Sequence, residues 1–314
     1  MANRGINVVL SARDRDVLGL LDRTPATTAL ILKASEAFDG GPFRDERRVR
    51  ERMQNLGNAG LVRRWPLALP GGGATNYYKL SVTGFRLLYG ENAPRLHNRY
   101  FAAVPLARLE HTHTLAQVIV HTLVTAHRHR IRITKFYREN SRTLQAGPIQ
   151  QQPDCMVQLS TGGRTFNVLF EVDNSTESID SPVHQSIRRK VLGYEAYQDR
   201  ILNAWKASGR KGLRPVFRAV FLTRTIDRAH HILFLVSQLA GNMHRRLCYA
   251  ATQDAYLAEN DALRDPIFLD HSGSWQALAD IHPSAPFPRP PVRIRAPLAS
   301  QFPIGSADTL PAFC

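Results

Sequence analysis

Three acids in the middle of the chain are of the right types and spacing to hold a metal ion against a phosphate. Asp154 follows Pro153, and Glu171 and Asp173 stand two apart in the run Phe-Asn-Val-Leu-Phe-Glu-Val-Asp that ends at residue 173. Mg²⁺ is a hard cation, commonly held by one or two carboxylates with waters and substrate phosphate oxygens. Such an ion lowers the pKa of bound water and neutralises charge on a phosphodiester, which is the chemistry of metal-assisted hydrolysis. The same residues have a plainer reading. Asp154 caps a turn, Asp173-Asn174-Ser175-Thr176 ends a strand, and Lys190 is one basic residue beside Arg188 and Arg189.

Which reading holds depends on the elements that position the acids. Residues 153–173 read as a hairpin, and successive side chains on a strand point to opposite faces. Phe166, Val168, Phe170 and Val172 therefore take one face, and Asn167, Leu169, Glu171 and Asp173 the other. Glu171 and Asp173 share a face near the strand's end, and Asp154 approaches from the neighbouring strand. Around this hairpin, from Pro105 onward, the pattern predicts a helix with Thr114 as N-cap and Gln117 completing a capping box. It continues with a strand at 130–137, a helix at 182–205, an apolar strand at 214–223 and a helix at 227–241. The first three strands can pair as a meander, while the fourth needs a helical crossover, so the product is a mixed sheet flanked by helices.

The first hundred residues read differently. Ser11 caps a helix carrying Val17, Leu20 and Leu21, and a second helical run follows Pro25. A third helix spans about 44–58. Val49, Met53 and Leu56 form its apolar stripe, and Arg47, Arg48, Arg50 and Arg52 occupy the remaining surface. A strand from Leu61, a glycine turn at Gly71–Gly73 and a second strand through Tyr77, Tyr78 and Leu80 make a hairpin. The arginines suit phosphate contact, together with Arg63 and Arg64 at the start of the hairpin. They also suit a solvated face built from pairs such as Arg47 with Glu51.

Composition narrows the partners. The chain carries 41 Lys plus Arg against 26 Asp plus Glu, a net +15, and 16 against 9 of these fall in the first hundred residues. That balance points to a polyanion. No stretch has the apolar length of a transmembrane helix and no secretory core opens the chain, so the expected partner is DNA and not a membrane, in the cytoplasm. Cys155, Cys248 and Cys314 lack CxxC spacing and read as plain thiols. The His pairs at 111 and 113 and at 127 and 129 lack the one-turn spacing of two ligands on one helix, so they read as solvent-facing or helix-end residues. The stretch from 284 to 314 is rich in proline and reads as a mobile, disordered tail.

Two resemblances follow from these residues. The helices, basic third helix and hairpin, with Val-Arg-Glu-Arg-Met-Gln-Asn-Leu-Gly-Asn-Ala-Gly-Leu-Val-Arg-Arg-Trp at 49–65, resemble a winged helix-turn-helix. The later element order, Pro153-Asp154 and Glu171-Val172-Asp173 resemble the PD-(D/E)XK nuclease superfamily. That likeness implies an α/β (α+β) chain with domains at 1–100, 101–283 and a tail at 284–314. It implies Asp154, Glu171 and Asp173 as ligands of Mg²⁺ or Mn²⁺. Position 173 is Asp where the superfamily has Lys, and Lys190, with Tyr194 one turn on, is similar to a migrated lysine on the next helix. Glu110 matches the superfamily's extra helical acid. More narrowly, residues 10–240 resemble the replication-relaxation family, a bacterial group linked to plasmid replication, mobilisation and DNA relaxation. The resemblance implies duplex DNA held by Arg47, Arg48, Arg50, Arg52, Arg63 and Arg64, and metal-dependent nicking or relaxation at the acids. A non-catalytic accessory factor partnering a relaxase or replication protein, or a winged-helix transcriptional regulator, are the other functions these features allow.

Overall fold

The computed structural model describes residues 9–67, 75–94, 96–175, 177–181, 186–242, 244–279 and 292–294. The front of the chain forms α1 (Ala12–Arg23), β1 (Ala26–Thr27), α2 (Thr28–Ala34), α3 (Glu46–Asn58), β2 (Val62–Leu67), β3 (Thr75–Leu80) and α4 (Val82–Tyr89). Polar side chains fix where the helices begin. Ser11 and Asp14 make a reciprocal capping box on α1, and Thr27, Asp45 and Ser81 accept from the first turns of α2, α3 and α4. β2 and β3 pair antiparallel from Val62 with Leu80 to Leu67 with Thr75, and β1 adds a third strand beside β3. Val49, Met53 and Leu56 of α3 are buried as their spacing predicts. The expected glycine turn at 71–73 lies outside the described residues.

The helix α4 was not anticipated in the sequence. It packs so closely that a Cβ on Gly84 would collide with the Leu61 carbonyl oxygen, so glycine is required there for contact and not for a turn.

The rest of the described chain forms α5 (Leu106–Arg128), β4 (Arg132–Tyr137), a small hairpin of β5 (Leu144–Ala146) and β6 (Ile149–Gln151), β7 (Cys155–Thr161), β8 (Arg164–Asp173), α6 (Ile187–Ala207), β9 (Arg218–Thr223), α7 (Ile226–Leu239), β10 (Cys248–Thr252), α8 (Gln253–Ala258), β11 (Phe268–Asp270) and β12 (Trp275–Gln276). The main sheet has the order β12-β11-β10-β9-β8-β7-β4, with β8, β9 and β10 parallel and the other pairs antiparallel. The chain is therefore a mixed α/β (α+β) protein with a large sheet flanked by helices. The meander β4-β7-β8 and the crossover through α6 to β9 follow the sequence expectation, as do the two faces of β8. Val168, Phe170 and Val172 pack with α5, and Leu169 packs with α6 and α7.

One expectation is corrected. Thr114 does not cap α5, which begins eight residues earlier after Pro105; its hydroxyl instead donates back to the Glu110 carbonyl inside the helix. The proline-rich tail lies largely outside the described residues. Within it, however, the Val292 N–H donates to the Gly273 carbonyl at 2.7 Å, and Val292 and Ile294 pack against the core between the sheet and α6 and α7. Among the described residues no helix is long and apolar enough to cross a membrane.

Candidate functional site

The acids meet at the carboxyl end of β8. Cys155 pairs with Phe170 across the β7–β8 ladder, which sets Asp154 opposite Glu171. The Asp154 backbone N–H donates to the Phe170 carbonyl at 3.1 Å, and its Oδ2 accepts from the Val172 N–H at 2.7 Å. This carboxylate is thus held by the edge of the sheet itself.

Glu171 faces α6 and is 1% exposed. Its Oε2 accepts from Lys190 Nζ at 2.8 Å, its Oε1 accepts from the Tyr194 hydroxyl, and Lys190 also reaches Glu177 at 2.9 Å. Lys190 and Tyr194 stand one turn apart on α6, so a single helix face supplies both donors. Burial pushes the Glu171 carboxyl above the ordinary range and Asp154 adds to the rise, while Lys190 opposes it. Burial works against charge on Lys190, but Glu171, Asp154 and Glu177 outweigh it and hold the ammonium. Burial also raises Tyr194 well above its ordinary value, with Glu171 adding to the effect.

Asp173 and Glu110 fall outside this cluster. Asp173 shares the Glu171 face, as strand alternation requires, but points to α7, where Arg228 donates to it at 2.6 and 3.2 Å. Glu110 is exposed and paired with Arg224. Of the expected set, the structure gathers Asp154, Glu171, Lys190 and Tyr194.

Two residues that sequence reasoning missed complete the acid edge. His111 Nε2 lies 3.2 Å from Asp154 Oδ1, and Glu139, in the turn after β4, stands close to both. Single donor atoms of His111, Glu139 and Asp154 lie within 4.8 Å of one another, in a set able to hold a metal ion. Burial tends to raise Asp154, but the hydrogen bond and charge of His111, the charge of Lys190 and the Val172 N–H bring it below its ordinary value. Burial lowers His111, and Asp154 reverses this to a net rise. Glu139 is raised by burial and by Asp154 against the pull of Arg108, its ion-pair partner. Spacing along one helix could not reveal this group, because its members come from α5, the turn after β4 and the residue before β7.

The basic residues of the front unit divide into two kinds. Arg47, Arg48, Arg50, Arg63 and Arg64 are exposed, and Arg47 and Arg48 pair with Glu51 at 3.4 and 2.9 Å. Arg52 instead crosses to Asp14, which is 1% exposed, and ties α3 to the first turn of α1.

A model of the replication-relaxation family matches residues 19–211, more than half of the chain. The chain belongs to that family, which points to a role related to replication or mobilisation. No curated protein and no solved structure matches it.

Proposed function

We propose that this is a DNA-binding protein of plasmid or mobile-element replication or mobilisation. In this reading the front unit is a winged helix that holds duplex DNA through Arg47, Arg48, Arg50, Arg63 and Arg64, and the second unit is a PD-(D/E)XK-like site for metal-dependent nicking. The observation that carries it is the Lys190 amine 2.8 Å from Glu171, with Asp154 opposite on the adjoining strand. In this reading Lys190 on α6 stands in for the lysine expected at position 173.

The donor set fits a divalent ion best at Asp154, His111 and Glu139, with Glu171 beside them. One imidazole among carboxylates favours Mn²⁺ over Mg²⁺. When bound, the ion would polarise a phosphate and activate water. The chain's own residues have separate tasks: Lys190 places a positive charge where the phosphate would lie, Tyr194 fixes the Glu171 rotamer, and the Val172 N–H holds Asp154.

A second reading, a non-catalytic accessory factor, is favoured by the full occupation of Glu171 by Lys190 and Tyr194 and of Asp173 by Arg228. Conversion of supercoiled plasmid separates the two. Nicking in Mn²⁺ or Mg²⁺, abolished by EDTA and by Glu171→Ala, is the expected result. DNA binding with no cleavage in any metal would overturn the catalytic reading and leave the accessory one.

A further inference from the structure

At the opposite end of the central strands from the acids lies a cleft of about 910 Å³, near the upper end of the volumes that enclose small ligands. Its floor is formed where β8, β9 and β10 begin, at Phe166, Arg218 and Tyr249. Seven Lys and Arg side chains line it against a single acid, Asp199.

Several of these cations are committed within the protein. Arg245 pairs with Glu195 and Asp199, Arg246 with Asp270, and Arg218 donates to the Ala277 and Leu278 carbonyls while lying over the Phe166 and Tyr249 rings. Lys206, Arg210 and Arg214 are different. All three are exposed, and they make no ion pair among the described residues.

The segment that carries them is a built feature. The Trp205 indole N–H donates to the Gly212 carbonyl at 3.3 Å, and the Arg210 N–H donates to the Trp205 carbonyl at 2.9 Å. Gln198 then donates to the Pro215 carbonyl at 2.8 Å and Asn167 to the Val216 carbonyl at 2.9 Å, which fixes the return to β9. Arg210 itself sits at φ 62°, a left-handed conformation that a non-glycine residue adopts at a cost. The half-buried Trp205 ring thus faces a cleft rimmed by three uncommitted cations.

Unpaired cations that follow a groove, with an aromatic face among them, are the combination that binds single-stranded nucleic acid: the charges track the phosphates and the ring stacks a base. We infer that this cleft binds a short stretch of single-stranded DNA, separately from the duplex contacts of the front unit and whether or not the carboxylate site cuts. The two ends of α6 separate the sites. Lys190 is near its start and Lys206 near its end, about 24 Å apart at 1.5 Å per residue.

Fluorescence anisotropy of the full chain with a labelled oligonucleotide, single-stranded and duplex, tests this. The triple variant Lys206→Glu, Arg210→Glu, Arg214→Glu is expected to weaken single-strand binding more than about tenfold and to leave duplex binding within about twofold. Neutralising three phosphates on a single strand contributes a slope of about −2 in log K against log salt, which the variant should lose. Trp205→Ala should weaken single-strand binding about tenfold, as expected for one stacked base. Thermal melts of both variants check that the fold is retained. Arg48→Glu with Arg50→Glu should give the converse pattern and lose duplex binding first. Unchanged single-strand binding in the triple variant, or equal loss of both forms, would overturn the inference. So would displacement of the strand by a mononucleotide at equal phosphate concentration, which would make the cleft a small-ligand site.

Discussion

Glu171 and Asp173 stand two residues apart on one face of one strand, yet their surroundings give them different work. Asp173 is locked to Arg228, and both partners are largely withdrawn from water. Removing one member of such a pair strands the other charge, so Asp173→Ala should lower stability by about 3 kcal/mol. Glu171→Gln keeps an acceptor for Tyr194 and leaves Lys190 with Glu177, so its cost should stay under about 1.5 kcal/mol. Urea unfolding of the two variants checks the contrast. If the proposed site is sound, nicking is lost in Glu171→Gln although its stability is nearly intact. Metal binding has its own readout: Mn²⁺ should raise the melting temperature of the wild-type chain by mass action and raise that of His111→Ala much less. At this scale the sequence made the shared face of Glu171 and Asp173 legible, because alternation is local. It could not show that Arg228 would claim Asp173, nor that His111 would reach Asp154, since both partners come from helices whose rotation against the sheet is set by packing.

Among the elements, α5 is the most constrained, and its start was misread. It is buried over most of its length, including Val118, Ile119, Val120, Leu123 and Val124, so amphipathic periodicity marks neither its face nor its start. His121 lies within it, edge-on to Tyr256. Burial, with the charges of Lys33 and Arg128 adding, depresses its pKa from 6.5 to about 4. The unfolded chain therefore takes up this proton first as pH falls. The stability contributed by neutral His121 is complete above pH 6.5, drains between 6.5 and about 4, and levels off below. Over that window it amounts to at most about 3 kcal/mol. Denaturant unfolding at a series of pH values should show a shallower acid loss in His121→Gln than in the wild-type chain. By contrast α3 was readable because it has one wet side and one dry side and so carries a clean period, and the β7–β8 hairpin was readable from the alternation of its strands although the second half of β8 is buried on both faces. The helix α4 was missed because its capping serine and its glycine follow a strand without a polar break.

Taken whole, the chain has one apolar cluster that runs from Val17 and Leu18 of α1 through α5 to Leu278 and Ala279. Asp22 adds a polar joint between front and back. It accepts from Tyr89, Tyr100 and Arg138, and the Arg138 guanidinium lies over the Tyr100 ring. A shared core predicts shared unfolding. Single-tryptophan variants that keep Trp65 in β2 or Trp275 in β12 should report the same denaturant midpoint; separate midpoints would show that the front unit melts alone. Composition had pointed to the basic character of the whole. The joint at Asp22 was invisible in sequence, because its partners lie 67, 78 and 116 residues away.

The bond from the Val172 N–H to Asp154 bears on how kinship should be read. That carboxylate occupies a place in the ladder that a main-chain carbonyl would otherwise fill, so selection for a sound sheet edge is enough to preserve it. A relative that cleaves nothing would therefore keep an aspartate there. His111 and Glu139 close no ladder, so, if the proposed site is sound, their joint presence or loss across relatives is the better sign of which lineages cut DNA.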